Sequence, residues 1–184
     1  PLFYENNLYT LHDAAFKAYA KAYSYKYRLV YGFMVPILLQ RCKHVITVSN
    51  FSKKEIHKLY GTDIKKIVVV YNAIASQFFP IVDDKLKNTP YLFTITSTGD
   101  NKNFNMVLDV FLDAAKYIPG LKLYAAGKTL KEAKYTKYKK YADNPNIIFL
   151  GYISDDELIR YYSNALAFMF PSIYEGFGIP PLEI

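Results

Sequence analysis

The segment Phe170-Pro171-Ser172-Ile173-Tyr174-Glu175-Gly176-Phe177-Gly178-Ile179-Pro180-Pro181-Leu182-Glu183 concentrates residues that could do chemistry. An apolar run ends at Pro171. A glycine-bearing loop follows, and then a proline pair suited to a first helical turn, where the missing N–H would have had no partner. Gly176 and Gly178 let the backbone approach a ligand closely. A helix N-terminus adds positive dipole character, so the loop and the following turn predict an anion site. Glu175 and Glu183 flank the loop with seven residues between them. Carboxylates accept hydrogen bonds from sugar hydroxyls, so the combination predicts recognition of a ligand that is anionic at one end and hydroxyl-rich at the other. Glu183 alone would be explained equally well by a favourable helix-dipole position. Paired with Glu175 and the glycines, it reads as a ligand contact.

Other chemistry-bearing residues read more plainly. Gly99-Asp100-Asn101-Lys102 lacks the spacing of a phosphate-binding P-loop. Asp155-Asp156-Glu157 follows Ser154 in a capping pattern, which explains the acids without a metal. No His/Cys cluster has zinc spacing, so no metal requirement is predicted. Cys42 closes a predicted helix without a base partner, which speaks against a catalytic thiol. His57 lies in a charged helix and reads as solvated. His44 begins a predicted buried strand and reads as structural.

The elements that must position these residues alternate. Strands are predicted at His44–Val48, Ile67–Tyr71, Tyr91–Thr96, Leu121–Ala125, Ile147–Leu150 and Ala165–Phe170. They are apolar nearly throughout, as strands buried on both faces of a parallel sheet are. Helices are predicted at Tyr25–Arg41, Ser52–Tyr60, Asn103–Tyr117, Leu130–Ala142 and Asp155–Asn164. Ser52-Lys53-Lys54-Glu55 and Ser154-Asp155-Asp156-Glu157 both read as capping boxes. This order predicts an α/β architecture of two Rossmann-like, doubly wound domains with ligands at the carboxyl ends of the strands. Polar, proline-flanked sequence divides it: residues 1–80 form the second part of a first domain, 81–90 a linker, and 91–184 the first part of a second domain. The first domain offers only two clear strands, the chain begins at Pro1, and its last residues, Pro181-Leu182-Glu183-Ile184, read as a helix just starting, so an internal fragment with both domains incomplete is expected.

Of 184 residues, 52% are hydrophobic and 21% charged, which excludes a disordered chain. Twenty-three basic against sixteen acidic residues give a net charge of +7, an invitation to anionic partners. Lys128, Lys131, Lys134, Lys137 and Lys140 recur at every third residue with Tyr135, Tyr138 and Tyr141 among them. An amphipathic helix with a solvated lysine face explains this better than RNA binding, since no RNA-binding motif accompanies it. The longest uncharged apolar run, between Arg28 and Arg41, is too short to span a membrane. A single cysteine excludes an internal disulfide and fits a reducing compartment.

Several segments together resemble one family. The tail resembles the E-x7-E segment of retaining glycosyltransferases of the GT-B fold, family four (glycosyl transferases group 1). Val45-Ile46-Thr47-Val48-Ser49-Asn50-Phe51-Ser52 is similar to its "ITVSEFS" segment, and Val70-Tyr71-Asn72-Ala73 to "VIYNG" with alanine in the usual glycine place. Asn101-Lys102-Asn103 resembles "RKN", Leu123 to Gly127 resembles "LVIAG", Leu150 to Ser154 resembles "LGYVS", and Leu11-His12-Asp13 resembles "IHD". The order is the family's, from about Thr10 to Glu183.

The resemblance implies roles. His12, Lys102 and Glu175 would be catalytic: Lys102 on the donor diphosphate, Glu175 on a donor-sugar hydroxyl, and His12, from the first domain, beside the sugar. Donor binding would further involve Ser97, Asn101, Tyr152, Ile153, Gly176, Phe177, Gly178, Ile179 and Glu183, with Glu183 on the ribose and Tyr152 and Ile153 near the base. Two positions depart from the family. Ser97 stands where many members carry a second basic residue, and Asn101 replaces the arginine before the lysine. Charge stabilisation would then fall on Lys102 and the helix N-terminus.

The expected function is transfer of a hexosyl group, mannosyl-type favoured, from a nucleotide diphosphate sugar (GDP- or UDP-sugar) to an acceptor hydroxyl with retention. The donor is a substrate, and no cofactor is expected. The other partner would be a saccharide or lipid-linked acceptor in polysaccharide assembly, with no nucleic acid. The location would be cytoplasmic, with the positive charge suited to a peripheral place on an anionic membrane. Two rivals stay open: a nucleotide-sugar epimerase of the same fold, and a non-catalytic basic module binding RNA or membrane. The fragment by itself is expected to be inactive.

Overall fold

The computed structural model describes residues 4, 6–20, 23–96, 100–127, 138, 141 and 143–184. By internal contact the chain falls into two units: Pro1–Ala73 with Tyr174–Ile179, and Ile74–Ile173 with Pro180–Ile184.

The first unit is built on three parallel strands in the order β1-β2-β3: β1 Leu8–Thr10, β2 His44–Thr47 and β3 Ile67–Val69. Parallel neighbours need a crossover. Helices α1 (Ala15–Ala18) and α2 (Tyr25–Arg41) lie between β1 and β2, and α3 (Asn50–Tyr60) lies between β2 and β3. Leu11, Val35, Leu39, Val45, Ile56 and Ile67 form the core. α2 begins at Ser24, whose hydroxyl accepts from the Tyr27 amide, and contains Pro36. Its buried residues, Val35, Leu38 and Leu39, all lie in its second half. α3 ends at Gly61 in a left-handed conformation (φ 66°), which glycine adopts without penalty.

The second unit is a parallel sheet in the order β6-β5-β4-β7, with β4 Tyr91–Thr96, β5 Lys122–Gly127, β6 Ile147–Gly151 and β7 Ala167–Met169. Helices α5 (Phe104–Ala114) and α6 (Asp155–Asn164) cover it. Side chains alternate across a strand, so Leu92 joins Val107, Leu108, Phe111 and Leu123 on the α5 face. Tyr91 and Phe93 join Tyr162 on the α6 face. Both faces of β4 are covered, which explains its largely apolar sequence, with the hydroxyls of the buried Thr94 and Thr96 bonded to backbone carbonyls; Tyr91 and Phe93 are fully buried, each worth about 2–3 kcal/mol in transfer. Gly127 closes β5 at φ 102°, where an added Cβ would stand 2.5 Å from the Thr96 carbonyl oxygen.

The α/β class, the parallel sheets and the alternation agree with the sequence reading, and the bounds of α2, β4 and α6 coincide with it. Several features differ. β1 has no counterpart among the predicted strands, because three residues with Leu8 largely exposed carry no readable period. His44 is exposed rather than a buried histidine, since β2 buries only Val45 and Thr47 fully. Ser52 does not cap α3: Ser49 does, accepting from the Ser52 amide at 3.0 Å, and the helix starts at Asn50. The chain after Ile179 forms a single 3₁₀ turn, Pro180–Leu182.

Residues 81–90, expected as a linker, carry helix α4 (Asp84–Lys87) and are tied to α6. The Ile81 amide donates to Ser163 Oγ at 2.9 Å, and the Asp83 amide to Asn164 Oδ1 at 3.0 Å. Ser154 caps α6 in the predicted capping box with Glu157, and those bonds hold the Glu157 carboxyl below its ordinary range. The lysine-rich stretch, apart from Tyr138 and Tyr141, lies outside the described residues, as does the helix predicted at Leu130–Ala142. Among the described residues no helix is long and apolar enough to cross a membrane.

Candidate functional site

In the first unit, three chain segments meet around Gly176. β1 runs out through Leu11, whose amide donates to the Ile46 carbonyl at 2.9 Å. The next residue, His12, has its carbonyl held by the Thr47 hydroxyl at 3.0 Å. Asp13 accepts from the Ala15 amide at 2.8 Å and so starts α1. β2 ends one residue before Val48, and Ser49 then opens α3.

The loop Tyr174–Ile179 docks on these turns. The Gly176 carbonyl accepts hydrogen bonds from the Ser49 and Ser52 hydroxyls, the latter at 3.0 Å. A Cβ on Gly176 would stand 2.9 Å from Asp13 Cβ and Oδ2 and 3.3 Å from the His12 carbonyl. Only glycine fits there without a shift. Tyr174 anchors one end of the loop, buried, with its ring 5.2 Å from Phe51 and 5.8 Å from Tyr19. Phe177 lies against Tyr71 at 6.1 Å. Gly178 takes φ 84°.

Glu175 is half-buried and His12 exposed. The phenol of Tyr23 titrates above its ordinary value, first through burial and then through the charges of Asp13 and Glu175. The predicted residues His12, Glu175, Gly176, Phe177 and Gly178 thus share one place in this unit, with Asp13 among them.

In the second unit the strand order supplies the site. From β4 the chain moves outward through β5 to β6, then returns to β7 on the other side of β4. The order reverses between β4 and β7, and in such sheets a crevice opens at the carboxyl ends at that point. A small cleft of about 50 Å³ lies there, lined by Thr94 and Ile95 of β4, Met169 of β7, Lys102, Phe170 and Pro180, among others. Thr94 Oγ1 donates to the Met169 carbonyl at 2.9 Å and ties the two strand ends together.

Lys102 ends a 3₁₀ turn, Asp100–Lys102, with its ammonium 5.5 Å from the centre of the Phe170 ring, a cation–π distance. Ile173 donates its amide to the Asn101 carbonyl at 2.7 Å, which ties the segment after β7 to that turn. Asn103 then adopts a left-handed conformation (φ 52°) and α5 begins without a side-chain cap. Unsatisfied amides at a helix start favour an anion, and Lys102 stands beside them.

Glu183 is held by Tyr162: the phenol donates to Oε2 at 3.1 Å. Burial, then the Glu183 charge and that bond, push the Tyr162 phenol far above its ordinary value, so it stays a donor. Tyr152, 78% exposed, and Ile153 follow the end of β6, two strands from β4, and do not line the cleft. Ser97 lies outside the described residues. No group of three or more His, Cys, Asp or Glu is placed to hold a metal among the described residues. Cys42 is buried and its thiol is pushed up by desolvation.

Sequence reasoning missed the residues that hold the others. Ser49 and Ser52 sit in a quoted motif, and their spacing of three gave a signal, but Ser52 was assigned to the helix cap. Thr47 holds a carbonyl 35 residues away in sequence, and Asp13 packs against Gly176, far along the chain. Tyr162 lies on the buried face of α6, where it reads as core.

With this geometry in view, the relatives fall into place. The family described as "Glycosyl transferases group 1" matches residues 76–184, and "Glycosyltransferase Family 4" matches residues 7–78. The O-antigen chain mannosyltransferase RfbU of Salmonella typhimurium is 31% identical over 97% of this chain and 49% of its own length. The O-antigen chain mannosyltransferase B of Escherichia coli is 27% identical over 79% of this chain and 41% of its own. The chain thus spans about half the length of the curated relatives it matches. Among solved structures, sucrose-phosphate synthase of Thermosynechococcus elongatus superposes with a TM-score of 0.72 at 19% identity, over 96% of this chain and 47% of that one. WaaG, a glycosyltransferase involved in lipopolysaccharide biosynthesis, gives 0.68 at 14% identity, over 96% and 53%. These neighbours share the fold, α/β of the GT-B type. The motifs, the strand order and these matches agree: the chain belongs to the glycosyl transferases group 1 family.

Proposed function

We propose that the whole protein is a glycosyltransferase that moves a hexosyl group, mannosyl-type, from a nucleotide diphosphate sugar to an acceptor hydroxyl with retention of anomeric configuration. The observation that carries this reading is the cleft where the strand order reverses, with Lys102 in its wall beside the uncapped start of α5. A diphosphate has the charge that such a place favours. As the bond between the anomeric carbon and the diphosphate breaks, negative charge grows on the leaving oxygen, and Lys102 stabilises it. Glu183, oriented by Tyr162, accepts from ribose hydroxyls. The family resemblance assigns the base to Tyr152 and Ile153, beyond the cleft after β6, and Asn101 belongs to the turn that carries Lys102.

In the other unit Glu175 accepts from a hydroxyl of the transferred sugar, with His12 beside it and the backbone of Gly176 to Ile179 available to donate. The mannosyltransferase relatives support the choice of sugar, with GDP or UDP as the nucleotide. The acceptor would be a growing saccharide or a lipid-linked one, and the net charge of +7 suits work beside an anionic membrane surface. Calorimetric titration of the full-length protein with GDP and with UDP tests the reading. Binding of one nucleotide, weakened about tenfold or more by Glu183→Ala, is expected. A folded protein that binds neither contradicts it.

A further inference from the structure

A cavity of about 410 Å³ belongs to neither place discussed above. It lies in the first unit, walled by α1, the beginning of α2 and the end of α3. Its volume is within the range of about 300–1,000 Å³ typical of small-molecule sites. Three aromatic rings, Phe16, Tyr25 and Tyr60, contribute to its wall, and so do two cations, Lys17 and Arg28. No carboxylate lines it among the described residues.

The two cations differ. Lys17 is engaged: its ammonium donates to the Leu59 carbonyl and sits 4.1 Å from the centre of the Tyr60 ring. Arg28 is exposed and makes no ion pair among the described residues. Tyr60 offers the cavity its ring and not its hydroxyl, which is buried on the side of Tyr9 and Tyr174. Gly32 also lines the cavity, and a Cβ there would meet nothing within 4 Å.

Aromatic faces pack against the apolar faces of sugar rings, and a guanidinium binds phosphate or carboxylate through paired N–H donors. We infer that this cavity binds an anionic saccharide, with Arg28 on the charged group and the aromatic wall on the ring. For a glycosyltransferase such a ligand is part of the acceptor, so its biological meaning rests on the function proposed above. The charge could come from an acidic or phosphorylated sugar of the growing chain, or from the diphosphate that joins a saccharide to a lipid carrier.

The test titrates the full-length protein by NMR with mannose 6-phosphate, glucuronate, decyl diphosphate and, as a neutral control, methyl mannoside. At least one anionic probe should bind about tenfold or more tightly than the neutral sugar. Arg28→Ala should remove that advantage. Gly32→Phe, at an exposed helical site, should fill the cavity and weaken binding as much, with the melting temperature kept. Preference for the acidic sugars assigns the charge to the saccharide; preference for decyl diphosphate assigns it to the lipid carrier. Equal binding of neutral and anionic probes, or indifference to both substitutions, overturns the inference. GDP and UDP titrations of the same variants separate the two claims: unchanged nucleotide binding with no anionic-sugar binding refutes this cavity's role and leaves the transferase reading standing.

Discussion

The two units meet the glycine-rich tail by different physics. The first holds the loop Tyr174–Ile179 by fit: a carbonyl takes two serine hydroxyls, and an absent side chain lets Asp13 stand within 3 Å of where a Cβ would be. The second offers charge at a sheet's switch point: Lys102 at a cleft, a helix start without a side-chain cap and a carboxylate fixed by a phenol. The difference separates holding from reacting. Substitutions in the first set should act through stability, and those in the second through turnover and ligand affinity.

That division can be broken in order of effect. Lys102→Ala should lower turnover about 10²- to 10³-fold and leave the melting temperature unchanged; a large loss of stability would mean that Lys102 is a structural residue. Gly176→Ala should cost about 1–3 kcal/mol of stability through overpacking against Asp13, read by denaturant unfolding. Unchanged stability would mean that the close approach imposes nothing. Ser52→Ala should cost about 1 kcal/mol for one lost hydrogen bond to Gly176. Ser49→Ala should cost more, about 1–2 kcal/mol, because Ser49 also caps α3. Equal costs would refute the double role.

Titration gives a comparison in which the units should agree. Burial pushes the phenols of Tyr60 and Tyr174 in the first unit, and of Tyr91 and Tyr162 in the second, well above the ordinary tyrosine value. In the unfolded chain these groups ionise near pH 10. The unfolded state therefore holds fewer protons than the folded state above about pH 10, and stability falls there as pH rises, with no effect below. Melting temperatures measured from pH 8 to 11 should be flat and then fall.

Much of this was legible in sequence, and what escaped has identifiable reasons. β4 was readable because both of its faces are covered, so its residues are apolar or are threonines that bond their hydroxyls to backbone carbonyls. α6 was readable because its capping box is local. The motif residues were found because spacing along the chain is enough to find them. The docking of Gly176 was not, because its partners Asp13, Ser49 and Ser52 are more than a hundred residues away in sequence. Ser52 was misassigned because Ser49 offers a hydroxyl at the same capping spacing, and only the fold shows that one serine caps while both hold a carbonyl. Tyr162 was hidden because a phenol that positions a carboxylate looks, on a buried helix face, like any aromatic core residue.

The most direct measurement is a transfer reaction with the full-length protein, GDP-mannose and a mannoside acceptor, followed by proton NMR. The account predicts a new α-mannoside formed in step with released GDP, and loss of both in Lys102→Ala. A β-linked product, or an epimerised donor with no acceptor consumed, would contradict it.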